Sequence, residues 1–543
     1  MVVCGVTRRL NPLSDRPCDV LVIGGGIVGA CAARDAARRG LSVVLLEKGD
    51  FGSGISWNSL KIVHGGLRSL QGLDLRQARA FVRERRAWLR IAPHLVEPLP
   101  FVVPTRGLGG ESAMLLRAGL ALNDLVSRDR NEGISESRRL PHGRALSRAE
   151  LRSLVPDAFA DYSGAAMFYD AQLYSAERLV HAVLDDAERA GAVSASYVEA
   201  VAPLRANGSL SGVVAHDLAT GGRLDVRASM IINAAGASAA AVADMLTGSS
   251  GTAPAMTGIA LNLMLEGDAH TTAFALVSRI DGRARRLFVE PWRGRTLVGT
   301  AHYECARAPQ SAAELEPFVE RFVAELSVAW PSRGITREKV LLVHAGMQPS
   351  PHGAPGTKAH GPPEPLIVDH ARHGLPQLLT AIGPKLTTSR AVAERLIDIV
   401  ATRIGRALEP CDTATAPLAS APGDDVTAVL ASALRDERAG LPDDVVEHLV
   451  RWYGSAGGYD AIVRTVRAEP ALGERVAKGS PVIAAQLRYG ARVEGAMSAE
   501  DLIDRRTELG ATARATADAR EAAQREIESA AAIESLASGQ ELL

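Results

Sequence analysis

The chain has 543 residues, 47% of them hydrophobic and 23% charged, with a formal net charge of −1. It is long enough for two or three domains around a sizeable core, and its composition is that of an ordinary globular protein. Near-zero net charge offers no electrostatic footprint for nucleic acid or for a strongly anionic partner.

The five cysteines, Cys4, Cys18, Cys31, Cys305 and Cys411, are scattered and odd in number. With no CxxC spacing they point to neither a disulfide framework nor a zinc site, and a reducing cytoplasm fits them best. The first eighteen residues carry no apolar core of a signal peptide. The apolar window Met230–Met245, broken by Asn233 and Asp244, reads as a buried strand running into a helix and is too short and too interrupted to span a bilayer.

In chain order, residues 18–48 predict strand, glycine-rich turn, helix, strand. Asp19–Ile23 is an apolar run suited to a buried parallel strand. It feeds Gly24-Gly25-Gly26-Ile27-Val28-Gly29, a small-residue helix, and a second strand ending at Glu47, 18 residues after Gly29. Gly24 permits the tight turn, Gly26 lets backbone approach a pyrophosphate at the helix N-terminus, and Gly29 lets helix and strand pack closely. Glu47 stands where a carboxylate accepts hydrogen bonds from a ribose diol. Strand, turn, helix, second strand and acid together predict a dinucleotide site. After Glu47 comes Lys48, then a Gly/Ser-rich run holding Ser53, Ser59, Lys61, His64 and Gly65. Backbone of that kind suits the ring system of a flavin better than the helix expected to follow in a nicotinamide domain; a surface loop is the bland alternative.

Further along, a charged helix is expected over about 73–89, mixed helix and loop over 108–160, and a helix over 175–190 leading to a strand near Ala192–Val198. Tyr197-Val198-Glu199 lies at the end of that strand, where backbone groups meet the adenine edge in flavoproteins that this segment resembles. The segment 255–300 alternates like strands, and 349–364 is crowded with Pro and Gly and reads as a loop. Ile231–Gly236 is a strand ending in small residues, which places Ala235 and Gly236 against a cofactor. Gly383-Pro384-Lys385-Leu386-Thr387-Thr388 precedes an apolar helix, and its backbone donors at Gly383, Leu386 and Thr387 suit the pyrimidine end of a flavin, where negative charge develops on reduction. Beyond about residue 402 the composition shifts to a linker and then to helices, ending in an Ala/Glu/Arg-rich tail.

The runs Lys61-Ile62-Val63-His64-Gly65-Gly66-Leu67-Arg68, Ala92-Pro93-His94 through Phe101, Phe168-Tyr169-Asp170, Asn233–Gly236, Pro291-Trp292, Gly383–Thr388 and Arg505-Arg506-Thr507 stand in the order found in the FAD-dependent glycerol-3-phosphate dehydrogenases, which this chain resembles from about 18 to 510. The resemblance implies an α/β fold: a discontinuous Rossmann-like FAD-binding domain within 18–405, an antiparallel-sheet substrate domain from about 100–165 and 255–345, a linker over 406–425, and a C-terminal helical domain over 426–543. It implies FAD as cofactor, hydride transfer to the flavin, and a quinone or O2 as electron acceptor. Peripheral contact with the inner face of the cell membrane and a homodimer are expected assemblies. His64 is the expected base, with a structural histidine as the alternative. Arg68 and Lys385 match substrate-side cations, and Gln348 the third substrate position.

Three departures bear on the substrate. The family's Gly-x-Arg-Pro is Gly346-Met347-Gln348-Pro349 here, its Leu-Arg-Tyr is Leu67-Arg68-Ser69, and its Gly-Thr-Thr-Asp is Gly299-Thr300-Ala301-His302. Arg293, Arg295 or Lys358 are candidates to replace the lost cation. The readings are glycerol 3-phosphate oxidation, oxidation of another hydroxyl or amine substrate, and a flavin-binding scaffold without activity.

Overall fold

The computed structural model describes residues 16–106, 113–155, 162–267, 272–280, 283–348, 365–383, 385–423, 425–435, 440–454 and 457–540. The loop expected at 349–364, and with it Lys358, as well as Pro384 in the 383–388 segment, lies outside them.

The first sheet runs Leu366–Asp369, Leu378–Ile382, Arg223–Asn233, Cys18–Ile23, Val43–Leu46, Val193–Ala195. Along this path four pairings are parallel and that of the edge strand Leu366–Asp369 is antiparallel. Cys18–Ile23 sits mid-sheet with Val20, Leu21 and Val22 fully buried, which accounts for its unbroken apolar run. Helix Ile27–Arg38 crosses from it to Val43–Leu46. Its buried alanines 30, 32, 33 and 36 let it pack between helices Ala176–Arg189 and Ser389–Ile404. The sheet is therefore assembled from segments early, midway and late in the chain.

The second sheet runs Val340–Gln348, Gly258–Glu266, Arg295–Glu304, Arg283–Trp292, Ala273–Ile280, Val96–Thr105, Gly164–Leu173, Ile62–Val63, with Arg144–Ser147 beside Gly164–Leu173. It is antiparallel except where Ala273–Ile280 lies along Val96–Thr105. On one face Ile259, Leu261, Leu263 and Leu265 pack with Phe322, Leu326 and Trp330 around helix Ala312–Ala329. On the other, Phe101, Phe168, Trp292 and Leu297 pack with Leu60 and Ile62, from the segment that follows the first βαβ unit. That second face brings the sheet to the functional loops.

This sheet reaches further than the cap segments expected from sequence. Val96–Thr105 is a ten-residue strand despite Pro98, Pro100 and Pro104, and it pairs along its length with Gly164–Leu173. The prolines are an even number of residues apart, so their missing N–H groups fall on one side of the strand and leave the ladder intact. Arg144–Ser147, inside the stretch read as helix and loop, is also a strand. Val198 begins a new strand, Val198–Ala206, instead of ending the preceding one. That strand and Ser209–Asp217 form an antiparallel ribbon with the outer half of Arg223–Asn233.

The helices Val426–Arg435, Asp443–Tyr453, Gly458–Ala468, Ala484–Arg492 and Ala517–Gln540 follow. They dock on the first sheet's side through buried charges. Asp50 takes a bidentate pair from Arg506 (2.7 and 2.9 Å) and a further contact from Arg505. Arg178 bonds the Trp452 carbonyl at 2.9 Å and pairs with Glu494. Among the described residues no helix is long and apolar enough to cross a membrane.

Candidate functional site

The glycine turn shows different reasons for each glycine. Gly24 has φ +109°, and a Cβ there would lie 2.5 Å from the Ala234 carbonyl oxygen. A Cβ on Gly29 would lie 1.9 Å from the Gly24 carbonyl. These two are demanded by the fold itself. Gly26 is not: among the described residues a Cβ there meets only the Ser56 hydroxyl, at 3.0 Å. Gly26 caps helix Ile27–Arg38 with no side-chain cap of its own, and the Ile27 amide reaches the Ser56 hydroxyl at 2.9 Å. A helix N-terminus whose cap residue has no side chain, behind an open glycine, is a cradle for an anion. Beside it, the Glu47 carboxylate accepts from the Gly25 amide (2.7 Å) and the Gly49 amide (2.8 Å). Burial pushes this carboxyl above its ordinary value against the pull of those two amides. Open glycine, helix terminus and fixed acid fit the pyrophosphate and ribose of FAD.

The remaining cofactor candidates distribute around this cradle. Ala235 and Gly236 form the turn against Gly24, with the Ala235 amide on the Asn233 side chain at 3.2 Å and Gly236 at φ +55°. Val198 lies next to Glu47, but its amide is committed to the Glu47 carbonyl at 2.8 Å. Lys48 and Ser53 are exposed, and the Ser53 carbonyl accepts from the Trp57 indole at 3.0 Å. The Ser59 hydroxyl accepts from the Lys61 amide at 3.4 Å. The Lys61 side chain is fully buried, 3.3 Å from Glu177 and over the Trp292 ring, and its carbonyl accepts from the Leu173 amide at 2.7 Å, so the structure turns this lysine into the protein and not toward a cofactor.

His64 stands where two loops meet. Its amide donates to the Thr387 hydroxyl at 3.1 Å, and the Thr387 carbonyl accepts from the Trp88 indole at 3.0 Å. Gly383, at φ +64°, turns the chain into this second loop. Leu386 and Thr387 then form a short 3-10 turn leading into helix Ser389–Ile404. The His64 ring places Nδ1 3.4 Å from Asp170 and remains about one-third exposed (32%). Asp170 also accepts from the Gly65 amide at 2.7 Å and from Arg85 at 2.8 Å. Burial pushes its carboxyl up, but the His64 hydrogen bond and the Arg85 guanidinium outweigh burial and hold it below the usual range. A Cβ on Gly65 would lie 2.0 Å from Arg85 Nη1, so glycine is needed for this arrangement to close.

Asp170 and Arg85 were not assigned roles from sequence. Asp170 lies in a recognisable motif, but Arg85 is hidden in helix Leu75–Ile91 among six arginines. In the structure Arg79 and Arg86 pair with Asp129, and Arg85 turns inward to Asp170.

On the substrate side, Lys385 is exposed with its ammonium 5.2 Å from the Phe81 ring centre. Arg68 belongs to the short helix Leu67–Gln71; its side chain lies outside the described residues. Ser69 donates to Gln77 at 2.7 Å. Strand Val340–Gln348 packs against the segment after the glycine turn: the Ala345 carbonyl accepts from Asn58, and a Cβ on Gly346 would meet Ile55. At its end Gln348 Nε2 lies 2.5 Å from His302 Nδ1, so two of the three departures from the family pattern touch each other. Arg293 and Arg295 do not supply the missing cation. Arg293 is buried against Glu508 and the Tyr174 ring, and Arg295 bonds the Thr512 carbonyl at 3.0 Å.

Comparison with known proteins gives the family and the fold. The family of FAD dependent oxidoreductases matches residues 19–399, and the C-terminal domain of alpha-glycerophosphate oxidase matches residues 411–532. A glycerol-3-phosphate dehydrogenase of Synechocystis is 30% identical over 524 residues, covering 92% of this chain and 90% of its own. Glycerol-3-phosphate dehydrogenase 1 of Mycobacterium bovis is 32% identical over 501 residues, covering 91% of each. The fold matches that of a glycerol-3-phosphate dehydrogenase from Bacillus halodurans solved with FAD, with a TM-score of 0.70, 22% identity, and coverage of 96% of this chain and 95% of that one.

Proposed function

The chain belongs to the FAD-dependent oxidoreductases of the glycerol-3-phosphate dehydrogenase and oxidase family, and on that premise we propose that it oxidises sn-glycerol 3-phosphate to dihydroxyacetone phosphate and passes the electrons to a quinone. The observation that carries this reading is the His64–Asp170 pair beside the Thr387 loop.

A carbinol oxidation needs a hydride acceptor and a base for the hydroxyl proton. FAD, when bound, supplies the two-electron acceptor. Asp170, held below its ordinary pKa, accepts from the Nδ1–H of His64 and fixes the tautomer whose Nε2 carries the lone pair. His64 Nε2 is then the atom that takes the substrate proton, and the imidazolium that results faces a carboxylate already stabilised by Arg85 and the Gly65 amide. Lys385 and Arg68 are the cations that would hold the phosphate end.

One observation favours a second reading. Gln348 is neutral and bonded to His302, and Arg293 and Arg295 are committed elsewhere. A substrate with a hydroxyl in place of the phosphate, or an amine, fits that end without a third cation.

Anaerobic mixing of the FAD-loaded enzyme with glycerol 3-phosphate, glycerol, 2-hydroxy acids and amino acids separates the readings. Bleaching of the flavin by glycerol 3-phosphate at the lowest concentration supports the first. Bleaching by a non-phosphorylated compound alone establishes the second. Reoxidation by a soluble quinone against O2 identifies the acceptor.

A further inference from the structure

Between Glu47 and Gly52 the chain closes on the glycine turn at both ends. The Gly25 amide donates to the Glu47 carboxylate at 2.7 Å, and the Gly52 amide returns to the Gly25 carbonyl at 3.0 Å. The same loop is zipped to the segment Ala195–Val198. The Glu47 amide donates to the Ala195 carbonyl (2.9 Å), the Val198 amide to the Glu47 carbonyl (2.8 Å) and the Tyr197 amide to the Gly49 carbonyl (3.0 Å). Tyr197 adopts φ +57° in this ladder, a conformation that persists in a residue other than glycine only where its surroundings enforce it. The Glu47 carboxylate is therefore placed by two segments far apart in sequence, and both are grasped by the C-terminal domain.

One turn of that domain makes both contacts. The Tyr197 hydroxyl donates to the two oxygens of Asp501 at 2.7 and 2.9 Å. Arg505 donates to Asp501 at 2.5 Å and also to Asp50. Arg506 takes Asp50 in a fork at 2.7 and 2.9 Å. Leu502–Arg506 is a π-helical turn, and its wider spacing brings residues four and five beyond Asp501 to the same side. Asp501 and Arg506 are fully buried, and the Met497 and Ser498 amides donate to Asp501 at 2.9 and 3.1 Å. A charge network this buried is weak evidence for stability, because desolvation offsets much of its attraction. What it does supply is a fixed geometry for the two segments that carry Glu47.

We infer that Asp501 and Arg505 of the C-terminal domain are positioning residues for the cofactor: through Tyr197 and Asp50 they fix the Glu47 carboxylate in the pose that receives the adenosine ribose of FAD. FAD binding and docking of the C-terminal helices are then one linked equilibrium, in which each favours the other by the same factor. The link requires FAD as the cofactor and is independent of which substrate is oxidised.

The test titrates the full-length chain, stripped of FAD and verified as folded by circular dichroism, with FAD and with ADP by calorimetry. Tyr197→Phe removes one hydroxyl and leaves Asp501 its pair with Arg505. It is expected to raise both Kd values about 3- to 10-fold, part of the worth of one hydrogen bond to a charged group. Arg505→Gln, which leaves Asp50 to Arg506, is expected to raise them about 10-fold or more. Glu47→Gln raises both as well. Adding Tyr197→Phe to Glu47→Gln is expected to change neither by more than twofold, because the group that Tyr197 positions is already altered. Kd values within twofold of wild type in Tyr197→Phe and Arg505→Gln overturn the inference. So do losses that multiply with that of Glu47→Gln, since a contribution to general stability alone would not be absorbed by a change at the carboxylate. Should Arg505→Gln fail to fold, Tyr197→Phe decides on the same two criteria.

Discussion

The Nδ1 of His64 lies 3.4 Å from one oxygen of Asp170, while the other oxygen is held by the Gly65 amide and Arg85. The carboxylate is thus fixed from two sides before it orients the imidazole. We predict that His64→Ala retains FAD and slows flavin reduction by about 10²–10⁴-fold, the worth of a positioned base. Stopped-flow reduction at the wild-type rate would show that the proton leaves by another route and that His64 only ties the loop to Thr387.

Gly26 and Gly29 predict different failures. A side chain at Gly26 meets one hydroxyl and otherwise fills the anion cradle, so Gly26→Val should fold and lack FAD. A side chain at Gly29 meets the Gly24 carbonyl at 1.9 Å, so Gly29→Val should destabilise the apoprotein itself. Circular dichroism with flavin absorbance distinguishes the two. Full flavin content in folded Gly26→Val would remove the cradle from its assigned place.

What the sequence showed was local. Strand, glycine turn, helix, strand and Glu47 occupy one continuous stretch, and each glycine's role follows from spacing. The His64 base was legible only through the motif around it, because its partner Asp170 is 106 residues away and Arg85 sits in a helix whose other arginines face outward. Arg293 shows the opposite error. In sequence it is a cation near a strand end. In the fold it closes on Glu508, and burial decides its fate before any substrate could. Val96–Thr105 carries three prolines, a residue usually excluded from central strands, and only the fold shows that they share one side of the ladder.

Asp50 joins the cofactor loop to the C-terminal helices. Burial pushes its carboxyl up, but Arg506 and Arg505 prevail and hold it far below the usual carboxylate range. Removing one partner leaves a buried guanidinium uncompensated, which costs about 3–5 kcal/mol. We predict that Asp50→Asn lowers the urea midpoint and exposes the segment near residues 405–425 to limited proteolysis. An unchanged cleavage pattern together with an unchanged midpoint would show that the apolar contacts around Trp452 and Tyr453 suffice for docking.

The buried histidines predict how stability falls with acid. His94 is held down to about 3, first by burial and then by the nearby Arg178 and Arg138. His344 is likewise held down to about 3, by burial and Lys61. In the unfolded chain each returns to about 6.5. Between those values the unfolded state binds more protons, so this contribution is complete above pH 6.5 and is lost as pH falls toward 3. At pH 5 the loss is roughly 2 kcal/mol for each histidine. Among the described residues neither ring nitrogen of His94 has a hydrogen-bond partner, so His94→Leu sacrifices no polar contact there. We predict that this variant matches wild type at pH 7.5 to within about 1 kcal/mol and unfolds at higher urea than wild type at pH 5. If the two proteins lose stability in parallel between those pH values, His94 is not buried neutral and acid sensitivity must arise at the ion pairs.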